Sequence, residues 1–197
     1  MISCEGIQYD GEKRLVFQTT VVNSNGQPLT NTHIEIRVDN SLISQGTTDQ
    51  NGKITLIFPA PVSDLPINLK IYNEDVSYME KEILNIRKAD FENYKFIFQN
   101  AHLLKSNETA PLQLNYNQTS IGSNIISRVT INGFYHAALE FYNFSDENYF
   151  RPEELLIKKN QSFQLKYTVL NLQTHAETDY VVDLAIGTDP ISFTINY

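Results

Sequence analysis

The sequence predicts an all-β protein built as two tandem antiparallel β-sandwiches of Greek-key, immunoglobulin-like or transthyretin-like type, and three observations carry that prediction. Apolar and polar residues alternate with a period of two along most of the 197 residues, as they do when successive strand side chains point to opposite faces. Asn-Gly pairs and proline-rich breaks separate the alternating runs at short intervals, and such residues reverse the chain. Between the runs no convincing helical pattern intervenes, so strand follows strand.

In the first half, HIEIRV places Ile34, Ile36 and Val38 on one face and His33, Glu35 and Arg37 on the other. KITLIF does the same with Ile54, Leu56 and Phe58, and INLKIY with Ile67, Leu69 and Ile71. The breaks are NSNGQP at 23–28, TDQNG at 48–52 and PAPVSDLP at 59–66. One stretch is ambiguous: across 77–94, Tyr78, Met79, Ile83, Leu84 and Ile86 fit a helix face almost as well as a strand, and intrinsic propensity favours helix.

The blocks VVNSNGQPLTNTHIEIRV and GTTDQNGKITLIF resemble the transthyretin-like or carboxypeptidase-regulatory-like domain of Bacteroidetes-type exported proteins. The first block carries the resemblance in Val22, Gly26, Pro28, Leu29, Ile34 and Ile36, the second in Gly46, Thr48, Asp49, Gly52 and Leu56. Thr19 and Thr20 depart from it, standing where that family often has glycine. The resemblance implies a small sandwich over 14–88, used as a spacer or docking module without catalysis, and it selects a closing strand over 79–86 with a junction at 87–93. Residues 1–13 are then an N-terminal tether and 89–197 a second sandwich.

In that second half the alternation returns in KFIFQ, LQLNY, IISRVTI, FYHAALEFY, SFQLKYTVL, YVVDLAI and ISFTINY, seven runs that suffice for a sandwich. SFQLKYTV sets Phe163, Leu165, Tyr167 and Val169 against Gln164, Lys166 and Thr168. Asn132-Gly133 is the favoured two-residue hairpin loop.

A formal charge of -8 and the lack of a basic run argue against a nucleic-acid partner. No apolar run reaches the roughly 18–20 residues that a membrane-crossing helix needs. For catalysis, a nucleophile needs a nearby base and an orienting carboxylate, but His33, His102, His136 and His175 are scattered and no zinc spacing occurs. The reading is therefore of a chain that is not an enzyme and takes no cofactor or metal. Asp49 and Asn51 offer oxygens to calcium, yet the loop lacks a downstream bidentate carboxylate, and a plain turn is the stronger reading. Asp146, Glu147, Glu153 and Glu154 include the paired acids a glycosidase would need, with a solvated acidic loop as the preferred alternative.

The candidate ligand-binding aromatics are Phe134, His136, Tyr142, Phe144 and Tyr149, which could stack on sugar rings or anchor a protein, against the alternative that they pack under a long loop. The single cysteine, Cys4, follows Ile2-Ser3 as in a bacterial lipobox and is the candidate lipid attachment point, the alternative being an ordinary thiol. Four Asn-x-Ser/Thr sequons stand at Asn107, Asn117, Asn143 and Asn160. Together these features predict a non-catalytic outer-membrane lipoprotein, periplasmic or surface-facing and membrane-bound through its lipid alone. Its partners would be envelope or outer-membrane proteins. The alternative is a carbohydrate-binding accessory protein of a glycan-uptake system.

Overall fold

The computed structural model describes residues 7–119, 122–132, 139–141 and 153–197. The chain divides into two compact units, Met1–Lys105 with Ala138–Asn143, and Ser106–Ala137 with Phe144–Tyr197. The strands are β1 Tyr9–Val22, β2 Thr32–Val38, β3 Ser41–Thr47, β4 Lys53–Pro61, β5 Ile67–Asn73, β6 Lys81–Ile86 and β7 Lys95–His102. They continue as β8 Thr109–Asn117, β9 Asn124–Asn132, β10 Leu139–Phe141, β11 Glu154–Lys158, β12 Gln161–Asn171, β13 Glu177–Ile186 and β14 Ile191–Asn196. The fold is all-β, with short 3-10 turns at Lys88–Asp90 and Ser106–Glu108.

The first unit packs a sheet of order β4-β1-β7 against one of order β10-β6-β5-β2-β3. Their inner faces share one core, in which Phe17, Phe58, Ile34, Ile36, Leu69, Ile71 and Ile83 are buried. The alternation in β2, β4 and β5 falls as the sequence predicts, because each strand buries one face only: Ile34, Ile36, Val38, Ile54, Leu56, Phe58, Ile67, Leu69 and Ile71 are all buried. Lys81 shares the core-facing side of β6 with Ile83 and is itself 2% exposed.

β6 explains the ambiguity of 77–94. Ile67 pairs with Ile86 but Leu69 with Ile83, so the register shifts by one extra residue at Leu84–Asn85. Asn85 adopts a φ of 64°, and its N–H donates to Asn68 Oδ1 at 3.0 Å. The bulge turns Ile83 and Ile86, three apart, to the same core, which reproduces helical spacing inside a strand. Pairing with β5 on one side and β10 on the other overrides helix propensity.

Four boundaries differ from the sequence reading. β1 begins at Tyr9, inside the segment 1–13 expected as a tether, because Tyr9 already pairs with Pro61; Asp10–Lys13 then loop out before Arg14 meets Pro59. Pro59 and Pro61 lie in β4, where a break was expected, and an edge position lets a residue without an N–H sit in a ladder. KFIFQ joins the first unit rather than a second sandwich starting at 89. It forms β7, runs parallel to β1 and inserts Phe96 beside Phe17 at 6.0 Å. β10, also expected in the second sandwich, pairs parallel with β6.

The second unit has sheets of order β11-β8-β14 and β13-β12-β9 around Leu112, Leu114, Phe163, Leu165, Val169 and Ile195. Phe163, Leu165, Tyr167 and Val169 are buried as the alternation predicts. Thr168, expected on the polar face, is 4% exposed, and its hydroxyl donates to Asp179 Oδ1 at 2.6 Å. β14 pairs parallel with β8, so β7, β10 and β14 each add a parallel pairing to sheets otherwise antiparallel among the described residues. Of the predicted Asn132-Gly133 loop, Asn132 ends β9 and Gly133 lies outside the described residues.

Buried threonines also fasten the first unit. Thr48 Oγ1 donates to Leu29 O at 2.7 Å and accepts from Thr32 N at 3.0 Å, with Thr48 only 3% exposed. Thr48→Val preserves shape but strands both backbone groups, so it is expected to cost about 2–4 kcal/mol in urea unfolding. A loss under 0.5 kcal/mol would mean that water replaces the hydroxyl.

Candidate functional site

Cys4, Phe134, His136, Tyr142, Phe144 and Tyr149 lie outside the described residues, as do Asp146 and Glu147. Of the other acids considered, Glu154 opens β11 and pairs with Gln113. Among the histidines, His33 stacks on Tyr72 at 5.0 Å on the first unit's outer face, and His175 occupies a positive-φ position in the turn after β12. No group of three or more metal-ligating side chains occurs among the described residues. Asp49 Oδ1 accepts from Asn51 N and Lys53 N, both at 2.8 Å, the bonding of a side chain that closes its own turn.

The outer face of β2 and β5 carries a laced polar row. Arg37 donates to Glu35 Oε2 through Nη2 at 2.7 Å and Nε at 3.0 Å, Tyr72 donates its hydroxyl to Glu35 Oε1, and Lys70 pairs with Glu80 at 2.7 Å. Arg37, foremost, holds the Glu35 carboxyl below its ordinary range. The backbone N–H groups of Lys53 and Asn51 do the same for Asp49. A carboxyl whose folded pKa is depressed adds stability above its unfolded pKa and loses it as pH falls through the folded value. Urea midpoints are therefore expected to fall as pH drops below about 4, and Glu35→Gln and Asp49→Asn each to flatten part of that fall. An unchanged acid slope in both variants would contradict these assignments.

Also in the first unit, an open cleft of about 780 Å³ is lined by Asp10, Lys13, Val62, Asp64, Lys88 and Tyr94 among others. Its two cations are held by the chain itself: Lys88 Nζ donates to Pro61 O and Val62 O at 3.0 and 2.8 Å, and Lys13 lies 3.5 Å from Asp10.

The feature with the clearest capacity to engage another molecule is β13, built by a hairpin that Asn171 organises. Asn171 Oδ1 accepts from Gln173 N, Thr174 N and Thr174 Oγ1 at 3.0, 2.9 and 3.1 Å. From that turn, β13 pairs with β12 from Leu170↔Glu177 to Gln161↔Ile186 without a register shift. On its other side no strand pairs with it among the described residues. Exposed edges elsewhere are blunted in recognised ways. β4 contains prolines, pairings of β3, β7 and β9 are bulged, and β10, β11 and β14 have three, five and six residues. β13 has ten residues, no proline and no bulge.

Its two faces are chemically distinct. Tyr180, Val182 and Leu184 pair with core-facing Tyr167, Leu165 and Phe163, so they point inward. Tyr180 nevertheless remains 42% exposed, stacked on Tyr167 at 4.9 Å. Glu177, Asp179, Val181 and Asp183 point outward, with Val181 55% exposed. Burial and the neighbouring Tyr180 phenol together raise the Tyr167 pKa. Sequence reasoning reads YVVDLAI as a strand, but an edge is a property of sheet order and leaves no mark in alternation.

No family model and no curated protein matches the chain. Among solved structures, the Bacillus anthracis TIE protein is similar with a TM-score of 0.37 and 13% identity, over 93% of this chain and 34% of that one. The chain thus spans about a third of that protein's length. The shaft pilin of Lactobacillus rhamnosus GG gives a TM-score of 0.36 and 9% identity over 93% of this chain and 98% of the pilin. A 3-chlorocatechol 1,2-dioxygenase from Rhodococcus opacus gives 0.36 and 14% over 51% of this chain and 62% of the enzyme. These likenesses are too distant to carry an argument about what the chain does.

Proposed function

We propose that the chain is a non-catalytic interaction module that docks an extended segment of another protein by adding it to β13. The observation that carries this is the ten-residue, unbulged, proline-free edge whose second side has no paired strand among the described residues. Such an edge offers a row of backbone donors and acceptors, and alternate side-chain positions supply selectivity. The finer reading places the module in a bacterial envelope, held to the outer membrane through acylated Cys4, with the first unit as a transthyretin-like spacer. The motif Ile2-Ser3-Cys4 and the block residues Gly26, Pro28, Asp49 and Gly52 support it.

Adjacent amides in a strand point to opposite sides, so of Val181→Pro and Val182→Pro one removes a donor only from the open edge. That variant is expected to keep the fold and to lose a discrete partner retained by the parent chain from envelope extracts. If both folded variants retain the same partner, docking at this edge is wrong. For the anchor, Cys4→Ser in the full gene product is expected to abolish labelling by radioactive palmitate; persistent labelling would exclude Cys4.

A further inference from the structure

We infer that the strand received by β13 is basic, with Lys or Arg at alternate positions beside Asp179 and Asp183 and an apolar or aromatic residue over Tyr180. This rests on the strand-addition reading and adds the chemistry of the partner.

The outward row of β13 carries three acids, Glu177, Asp179 and Asp183, and Val181. Asp179 Oδ1 accepts from the Thr168 hydroxyl and Asp183 Oδ1 from Gln164 Nε2, both neutral donors. None of the three acids belongs to an ion pair among the described residues. An incoming strand runs about 4.8 Å away, with directly opposed side chains about 5 Å apart, close enough for charge to select the partner.

A second copy of this chain fits poorly. Antiparallel self-pairing centred on Val181 sets Asp179 against Asp183, and centring on Tyr180 sets Glu177 against Asp183. Like charges directly opposed destabilise a sheet pair, and each copy also brings a net charge of -8. A strand with alternating cations converts the same row into attraction and suppresses wrong registers, since slipping by one residue moves its charges to the inner side.

The inner side sets the second requirement. Tyr180 faces the core, yet one side of its ring is left uncovered after stacking on Tyr167. A residue added opposite Tyr180 would complete the sheet's apolar layer, and an aromatic ring there would gain a stacking contact.

The test uses four capped eight-residue peptides and the whole chain labelled with nitrogen-15. They are an alternating lysine–phenylalanine peptide, an alternating lysine–valine peptide, an alternating glutamate–valine peptide, and a block peptide of the same lysines followed by the same valines. The alternating lysine peptides are expected to shift amides of 177–186, with affinity falling about tenfold between 50 and 500 mM salt. Asp179→Asn with Asp183→Asn is expected to weaken them severalfold while leaving the spectrum folded. The glutamate and block peptides are expected to leave those amides unmoved. Equal binding of both charge types at β13 would overturn the basic partner and leave strand addition standing. A dimer formed through β13 would do likewise. Equal binding of the block peptide, or no shift with any peptide, would overturn both.

Discussion

Gly52→Ala is expected to cost the first unit about 3 kcal/mol or more, from backbone strain and a steric clash acting together. Gly52 has a φ of +69°, and a Cβ there would stand 2.5 Å from Val21 O and 3.1 Å from Pro28 Cβ. The surrounding backbone has little room to yield. Val21 N donates to Gly52 O at 2.8 Å, Leu29 N donates to Val21 O at 2.9 Å, and Gly52 N donates to Asp49 O at 3.0 Å. Moving the turn away from a new methyl group would break bonds that join β1, the 28–29 segment and the start of β4. Gly26→Ala separates the two effects, because Gly26 has a φ of +78° but nothing within 4 Å of a built Cβ. It should cost only about 1 kcal/mol. Equal losses in the two variants, read from urea unfolding by far-ultraviolet circular dichroism, would refute the clash.

Phe17→Ala is expected to cost about 3–5 kcal/mol, the range for emptying a large aromatic site in a core that cannot collapse. Phe17 is 1% exposed on β1, between Leu56 of β4 and Phe96 of β7. Its ring begins a chain of contacts: Phe96 at 6.0 Å, then Phe91 at 5.5 Å from Phe96, then Phe58 at 6.0 Å from Phe91. Removing it also releases the parallel β7, whose attachment to the first unit was not read from sequence. The same change at half-buried Val16, one residue away on the outer face, should cost less than about 1 kcal/mol. Similar losses at both positions would contradict the two-faced reading of β1.

Strands with one buried face were legible from alternation alone, whichever strand they pair with: β4 and β14 were as plain as β2 although their partners β1 and β8 are distant in the chain. Ile34, Ile36 and Val38, or Phe163, Leu165 and Tyr167, announce themselves because a period of two follows from the pleat. What failed to show were relations between distant segments. β7 pairs with β1 after a long excursion, so nothing local distinguishes it from a first strand of the next unit. The bulge at Leu84–Asn85 imitates helical spacing, and prolines tolerated at the edge of β4 imitate a break. β3 and β11, short and mixed in polarity, gave too few alternations to stand out. Lys81 and Thr168 are polar residues in buried places, which composition does not foresee.

The candidate site was less legible than the fold, for the same reason. The aromatics at 134–149 and Cys4 are conspicuous by residue type alone. The edge of β13 draws its capacity from sheet order and from regularity, and neither is visible in seven letters of strand. What sets its acids apart from other exposed carboxylates is a shared outward row beside a ladder with no paired strand among the described residues.

Amide hydrogen exchange along 177–186 tests the central claim most directly. Alternation is expected in the isolated chain: every second amide slow because it donates to β12, and those between fast because they face an unpaired side. Slow exchange at every amide of the strand would show the edge already covered and contradict it.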